Sequence, residues 1–277
     1  MQDEPAEIIY SADPELRHPR RFLARVAEDL RATPRVAWRV FRRNMQVSYR
    51  RSLLGYFWLL LPMTAATLLC LYLQSHRIIA VGDTGVPYPL YVLTGMAFWQ
   101  LFAEALNGPL QRLKAEQLLI TRSRVPHEAL LLAGALEPLL NCMVRILVLL
   151  PLLVAYHAFG GAIVLLLPIA LVALLLLGTG LGLLIAPLGL LYDDVGRATT
   201  LVLSFWFFVT PVLYPAPGGI ISVLNPVTPL LDSARACLIG GSIDRGFVAS
   251  ALFALVVTLS GWVMLRLARP HVIARLG

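Results

Sequence analysis

Three groups of residues in this chain have the types and spacing to do chemistry. Asp193 and Asp194 form an adjacent carboxylate pair beside Arg197. Such a pair suits acid–base work, or a divalent ion in a membrane glycosyltransferase. Adjacent acids on a helix diverge, however, and acids in a first turn are favoured by the helix dipole, so catalysis is not the expectation there. Glu137, Asn141 and Arg145 are spaced i, i+4, i+8 and share one helix face, where they can pair inside a bundle. They act either as structural glue or in gating and conduction. Trp206, Phe207 and Phe208 lie in the middle of an apolar run from Leu201 to Leu213. An interfacial belt places aromatic residues at the ends of a run, so these three line something or pack against helices.

Other chemistries lack their residues. No stretch has the GxxxxGK[ST] spacing that cradles nucleotide phosphates, and no histidine–acid cluster suits a catalytic metal. Cys70, Cys142 and Cys237 are odd in number, scattered and set in apolar surroundings, which fits small buried residues better than a disulfide framework or zinc site. No catalytic residue, metal ligand or cofactor is therefore assigned to this chain, and any energy source lies elsewhere.

Composition fixes the broad class. With 58% hydrophobic and 14% charged residues over 277 positions, the chain has too little polar surface for a soluble globule. Its apolar runs approach the roughly 20 residues of a membrane helix and lack the alternation of a barrel, so an all-α integral membrane protein is expected. The net charge of +7 comes mostly from arginine, and eleven arginines from Arg17 to Arg51 precede the first long apolar run. The positive-inside rule then places the N-terminus in the cytoplasm, without a nucleic-acid partner to explain the charge.

The elements that position these groups follow from periodicity. Residues 1–52 read as a cytoplasmic tail and amphipathic helix: after Thr33–Pro34, a cap followed by proline, Val36, Val40, Phe41 and Val47 share a face. Residues 53–268 read as six spans: Leu53–Ser75, Tyr88–Asn107, Glu128–His157, Gly161–Leu190, Tyr192–Pro215 and Phe247–Leu267. Tyr56, Phe57 and Trp58 form an interfacial belt or an aromatic path, and Glu104 should face protein or water. Gly108–Pro109 is expected to break the second helix ahead of a basic inner loop, 108–127, which can hold a short helix. The glycines of GTGLG, Gly178 to Gly182, permit close helix packing or a bend near Pro187. Tyr214–Pro215 is expected to stop the fifth helix, and 215–241 suits a re-entrant pair of short helices. Residues 269–277 form a cytoplasmic tail, and the only basic residues expected outside are Arg77, Arg235 and Arg245.

Five stretches in order carry a family resemblance: RNMQVSYRRSLLGYFWLLLP (Arg43–Pro62), LLITRSRVPHEALLL (Leu118–Leu132), LGLLIAPLGLLYDDVGRA (Leu181–Ala198), FWFFVTPVLYP (Phe205–Pro215) and LNPVTPLLDSAR (Leu224–Arg235). With them the chain resembles the membrane permeases of ABC-type polysaccharide exporters for O-antigen, capsule and teichoic acid. One departure is Asp193, at a position where that family commonly has arginine.

The resemblance implies a homodimer of six-span subunits docked on two copies of an ABC ATPase, which would hold the ATP and Mg. It implies an interface helix over about Arg35–Arg51, and a coupling helix over about Leu113–Pro126 carrying Leu118, Leu119, Arg122, Arg124 and Pro126. It further implies a conduit formed by spans one and five, so that Tyr56, Trp58, Tyr72, Trp206 and Phe207 line the path; aromatic faces stack on sugar rings while tolerating sliding. Arg50 and Arg51 at the inner mouth would attract the pyrophosphate of a lipid-linked glycan. The expected function is export of a lipid-linked polysaccharide across the bacterial inner membrane by a non-enzymatic subunit. The alternatives are an ABC permease for another lipid or drug, or a membrane enzyme acting on lipid carriers.

Overall fold

The computed structural model describes residues 33–46, 57–76, 78, 84–115, 127–215 and 224–276. All regular structure among them is helical. The order is α1 (residues 33–46), α2 (Phe57–Ser75), α3 (Tyr88–Ala115), α4 (His127–Ala155), a 3-10 segment (Gly161–Leu166) running into α5 (Leu167–Leu191), α6 (Asp193–Val209), α7 (Val227–Ile239) and α8 (Phe247–Leu276). Thr33 and Pro34 lie within the amphipathic helix, which docks on α4 through Ala37, buried with Ala129 and Ala133.

Four helical stretches are long and apolar enough to cross a membrane: Phe57–Ser75, Glu128–Ala155, Gly161–Leu191 and Phe247–Ala268. The other two expected spans fall outside this set for different reasons. Over the expected span Tyr88–Asn107, helix α3 is diluted by Tyr88, Pro89, Tyr91, Trp99, Gln100 and Glu104, yet 17 of its 28 residues are buried, so it meets protein along most of its length. A helix surrounded by other helices need not be apolar all round. Helix α6 has only 17 residues, because it stops before the expected Tyr214–Pro215. Pro211 is the earlier stop: it drives Thr210 into an extended conformation (φ −88°, ψ 139°), and the helix ends at Val209.

A second correction concerns Gly108–Pro109. Helix α3 continues through both to Ala115. Pro109 is buried, and its ring lies where a β-carbon on Gly182 would stand, so packing against α5 holds the helix together despite the missing N–H.

The core is built around α5, which packs most extensively on α3 and α8. The GTGLG glycines make this possible, each facing a particular neighbour. A β-carbon on Gly178 would lie 2.6 Å from the Phe102 carbonyl oxygen, and one on Gly182 would strike the Leu106 carbonyl of the same helix. Gly180 points instead at α8, where a β-carbon would sit 2.6 Å from the Thr258 nitrogen. The contact is reciprocated by Gly261, close against the Gly180 carbonyl, and by a 2.7 Å bond from Thr258 Oγ1 to the Leu176 carbonyl. Small residues on both sides thus bring three backbones together, as helix association in lipid requires.

Helices α2 and α6 lie at the opposite extreme. Only Met63, Thr67 and Cys70 are buried in α2, and only Leu203 in α6. Helix α7, by contrast, has 13 residues of which all but Asp232 are buried. At about 20 Å it is too short to cross a bilayer.

Candidate functional site

The uncovered face of α2 is a continuous stripe. Trp58, Leu61, Ala65, Leu68 and Tyr72 recur at alternating spacings of three and four, and all are exposed. Trp58 and Tyr72, both expected in a path lining, therefore share one side of the helix roughly 21 Å apart along its axis.

On α6 the aromatic residues divide between two faces. Trp206 and Phe207 turn inward, half-buried: Trp206 packs edge-on against Phe102 at 5.3 Å and Phe207 against Trp99 at 5.6 Å, both on α3. Phe205 and Phe208 turn outward, 67% and 65% exposed, flanked by Leu201, Val202 and Val209. The polar residues of this exposed face, Thr200 and Ser204, bond to carbonyls one turn back and leave no demanding group on the surface.

Trp206 is further fixed by Asn225. Its indole N–H donates to Asn225 Oδ1 at 3.1 Å, the same oxygen accepts from the Val227 amide at the start of α7, and Asn225 Nδ2 donates to Thr210 Oγ1 at 2.9 Å. One side chain thereby bonds the first amide of α7 and holds the end of α6. We expect Trp206→Phe to destabilise the protein by about 1 kcal/mol, and Asn225→Ala by about 2–3 kcal/mol, because the latter strands several buried groups. Thermal unfolding in detergent should rank them in that order; equal effects would mean that Asn225 is not the hub.

Arg235 completes the attachment. Expected outside as a topological charge, it is 4% exposed. Nη1 donates to Tyr91 Oη at 2.8 Å and Asp232 Oδ1 at 2.7 Å, and Nη2 donates to the carbonyls of Pro211 and Val212 at 3.1 Å each. The guanidinium also stacks 3.8 Å over the Tyr91 ring. Gly95 makes the room, since a β-carbon there would meet both Arg235 and the Val212 carbonyl. The non-helical chain just past α6 thus presents open carbonyls, and an arginine from α7 takes them up.

The expected polar face of α4 finds partners on α3. Arg145, 1% exposed, donates through Nη2 to Glu104, and Asn141 Nδ2 donates to the other oxygen of that carboxylate at 2.8 Å. One turn away Glu137 pairs with Arg112. Glu104, Asn141, Glu137 and Arg112 border a cleft of about 710 Å³ whose rim includes Arg43 and Asn44 of α1, while Arg145 lies behind it. The charges meet one another across α3 and α4, so each is offset within the bundle. At the end of α4, Glu128 pairs with Arg266 of α8 at 3.2 Å, both buried. Asp193 and Asp194 do not converge: Asp193 accepts from Lys114 at 2.5 Å and Asp194 from Arg197 at 3.2 Å.

Several expected site residues, Arg50, Arg51, Tyr56, Leu118, Leu119, Arg122, Arg124 and Pro126, lie outside the described residues. So do residues 1–32 and 216–223, the latter part of the expected re-entrant segment. Sequence reasoning missed the contacts of Asn225 and Arg235, the exposure of Phe205 and the Lys114–Asp193 pair. The Asn-Pro step before α7 is a turn signal that points to Asn225.

Apolar helices, helix ends tied by ion pairs and buried charges paired across helices define a multi-pass helical membrane protein. No family model matches the chain. It is similar to the O-antigen export system permease protein RfbA of Myxococcus xanthus, 25% identical over 226 residues, covering 79% of this chain and 85% of that protein. It is also similar to RfbA of Klebsiella pneumoniae, 23% identical over 230 residues (80% and 87%), and to the polysialic acid transport protein KpsM of Escherichia coli, 24% identical over 235 residues (82% and 91%). These relatives bear out the resemblance carried by the five motifs.

Proposed function

We propose that this chain is the transmembrane permease subunit of an ABC transporter that exports a lipid-linked polysaccharide from the cytoplasmic side of the bacterial inner membrane. The observation that carries the reading is the similarity to O-antigen and polysialic acid transport proteins across about four-fifths of the chain. The chain is a transport subunit and not an enzyme. ATP and Mg belong to two copies of a partner ATPase, engaged through the basic segment Leu113–Pro126. Six helices cross the membrane, with α3 and α6 as the second and fifth, α7 re-entrant, and both termini cytoplasmic.

Two such chains form a homodimer. The weakly covered helices α2 and α6 support this, since their aromatic faces find no cover among the described residues. The conduit is bordered by Tyr56, Trp58 and Tyr72 from α2 and its approach, and by the aromatic level of α6. There Phe205 and Phe208 present their rings outward, while Trp206 and Phe207 hold that level against α3. Rings stack on sugar faces without fixing register, which suits a sliding chain. Arg50 and Arg51 receive the pyrophosphate at the inner mouth.

Co-expression with the candidate ATPase tests the assembly. Affinity purification through the ATPase should recover both chains with a native mass of two plus two. Recovery of the ATPase alone would contradict the proposal.

A further inference from the structure

Helix α6 is held very differently at its two ends. At the Val209 end, Trp206 and Phe207 pack on Phe102 and Trp99, Asn225 bonds to Trp206 and Thr210, and Arg235 takes the Pro211 and Val212 carbonyls. From Asp193 to Val202 no side chain is buried. The start of the helix is set off from α5 by a single extended residue, Tyr192 (φ −134°, ψ 118°), whose N–H still donates to the Leu188 carbonyl at 2.9 Å. Gly196 rests against Leu110, where even a β-carbon would stand at an ordinary 3.6 Å.

The one charged link from this loosely held half to another helix, among the described residues, is Lys114 Nζ to Asp193 Oδ1 at 2.5 Å. Lys114 lies in the last turn of α3 and Asp193 in the first turn of α6. Each charge therefore sits at the helix end whose dipole favours it, and the two ends meet through the pair. Asp194 and Arg197 pair within α6 and give no second link.

We infer that Lys114 and Asp193 are positioning residues: their ion pair ties the loose half of α6 to the end of α3, so that a displacement there swings α6 about its pinned Val209 end. A single salt bridge on a surface is weak as a source of stability, but here it sets the position of a helix half that few other contacts hold. The inference deepens the function proposed above and rests on it in one respect, that α6 borders the path and the segment after α3 meets the ATPase. The aspartate that departs from the family's usual arginine thus has a partner of its own, supplied by α3.

Charge exchange tests the tie. The complex with its ATPase is reconstituted in proteoliposomes, and ATP hydrolysis is read with and without a polyprenyl-pyrophosphate-linked oligosaccharide. Lys114→Asp, Asp193→Lys and the isosteric Asp193→Asn should still copurify with the ATPase but reduce the oligosaccharide-dependent change at least fivefold. The double exchange, Lys114→Asp with Asp193→Lys, should recover it to within about threefold, incompletely because each charge then opposes its helix dipole. Single variants that respond as wild type, or a double variant no better than the worse single, would overturn the inference.

A second readout needs no ATPase. Nitroxide labels at Gln111 and Ala198 should give a distance distribution that broadens in Asp193→Asn and narrows again in the double exchange. An unchanged distribution would overturn the tie. A wild type that captures no ATPase, or shows no response to the oligosaccharide, instead contradicts the transporter reading.

Discussion

Glu104→Ala is expected to destabilise the protein by about 3–5 kcal/mol, the cost of leaving the buried Arg145 guanidinium without its counter-charge. Arg145 is 1% exposed, and its Nε and Nη1 have no hydrogen-bond partner among the described residues, so the Glu104 carboxylate is what offsets its charge. Loss of that carboxylate also takes an acceptor from Asn141. The same reasoning makes Glu104→Leu with Arg145→Leu far milder than Glu104→Ala, because an apolar pair removes the charge together with its counter-charge. Thermal unfolding of detergent-solubilised protein, followed by size-exclusion chromatography, should show a large fall for the single variant and recovery for the double. A double variant as unstable as the single would mean that the pair has a structural role beyond charge compensation.

Gly182→Leu should be of similar severity for a different reason. Its first side-chain carbon would enter the Leu106 carbonyl and the Pro109 ring, and backbone cannot turn aside as a flexible side chain can. Overpacking a core costs about 1–3 kcal/mol and occasionally more; here it would separate α5 from α3, two helices buried along much of their length, so the upper end is expected. Gly196→Ala is the control, nearly neutral or stabilising by about 0.4–1 kcal/mol, because its β-carbon meets only ordinary contact. Equal yields of folded protein for Gly182→Leu and Gly196→Ala would contradict the close packing of α5 on α3.

Much of this arrangement is legible in the amino-acid sequence. The helix over 33–46, the shared face of Glu137, Asn141 and Arg145, and the small-residue role of Gly178 to Gly182 all follow from helical periodicity, a local property. The misreadings occur where distant packing decides. Pro109 breaks a helix in isolation but is carried inside α3, since Gly182, far along the chain, leaves room for its ring. Pro211 and Pro215 are equally good stops by composition, and the earlier one wins simply because a growing helix meets it first. Arg235 looks like a charge for solvent, as most arginines are; its partners are open backbone carbonyls just past α6, which no spacing rule reveals.

The aromatic run of α6 shows the same limit more finely. Sequence places Trp206 and Phe207 in the middle of an apolar run, and because α6 stops at Val209 they stand in its last turn. Which rings turn outward depends on where α3 and Asn225 lie, and these assign Phe205 and Phe208 to the uncovered side.

The most direct test is transport itself. The purified chain and its partner ATPase are reconstituted into proteoliposomes, and movement of a polyprenyl-pyrophosphate-linked glycan across the bilayer is followed by its accessibility to a lectin on the far side. ATP-dependent appearance of the glycan, lost or reduced at least tenfold in Trp58→Ala with Phe205→Ala while the ATPase remains bound, is the expected result. A complex that hydrolyses ATP but moves no glycan, or a double variant that moves it at the wild-type rate, would contradict export along the uncovered aromatic faces of α2 and α6.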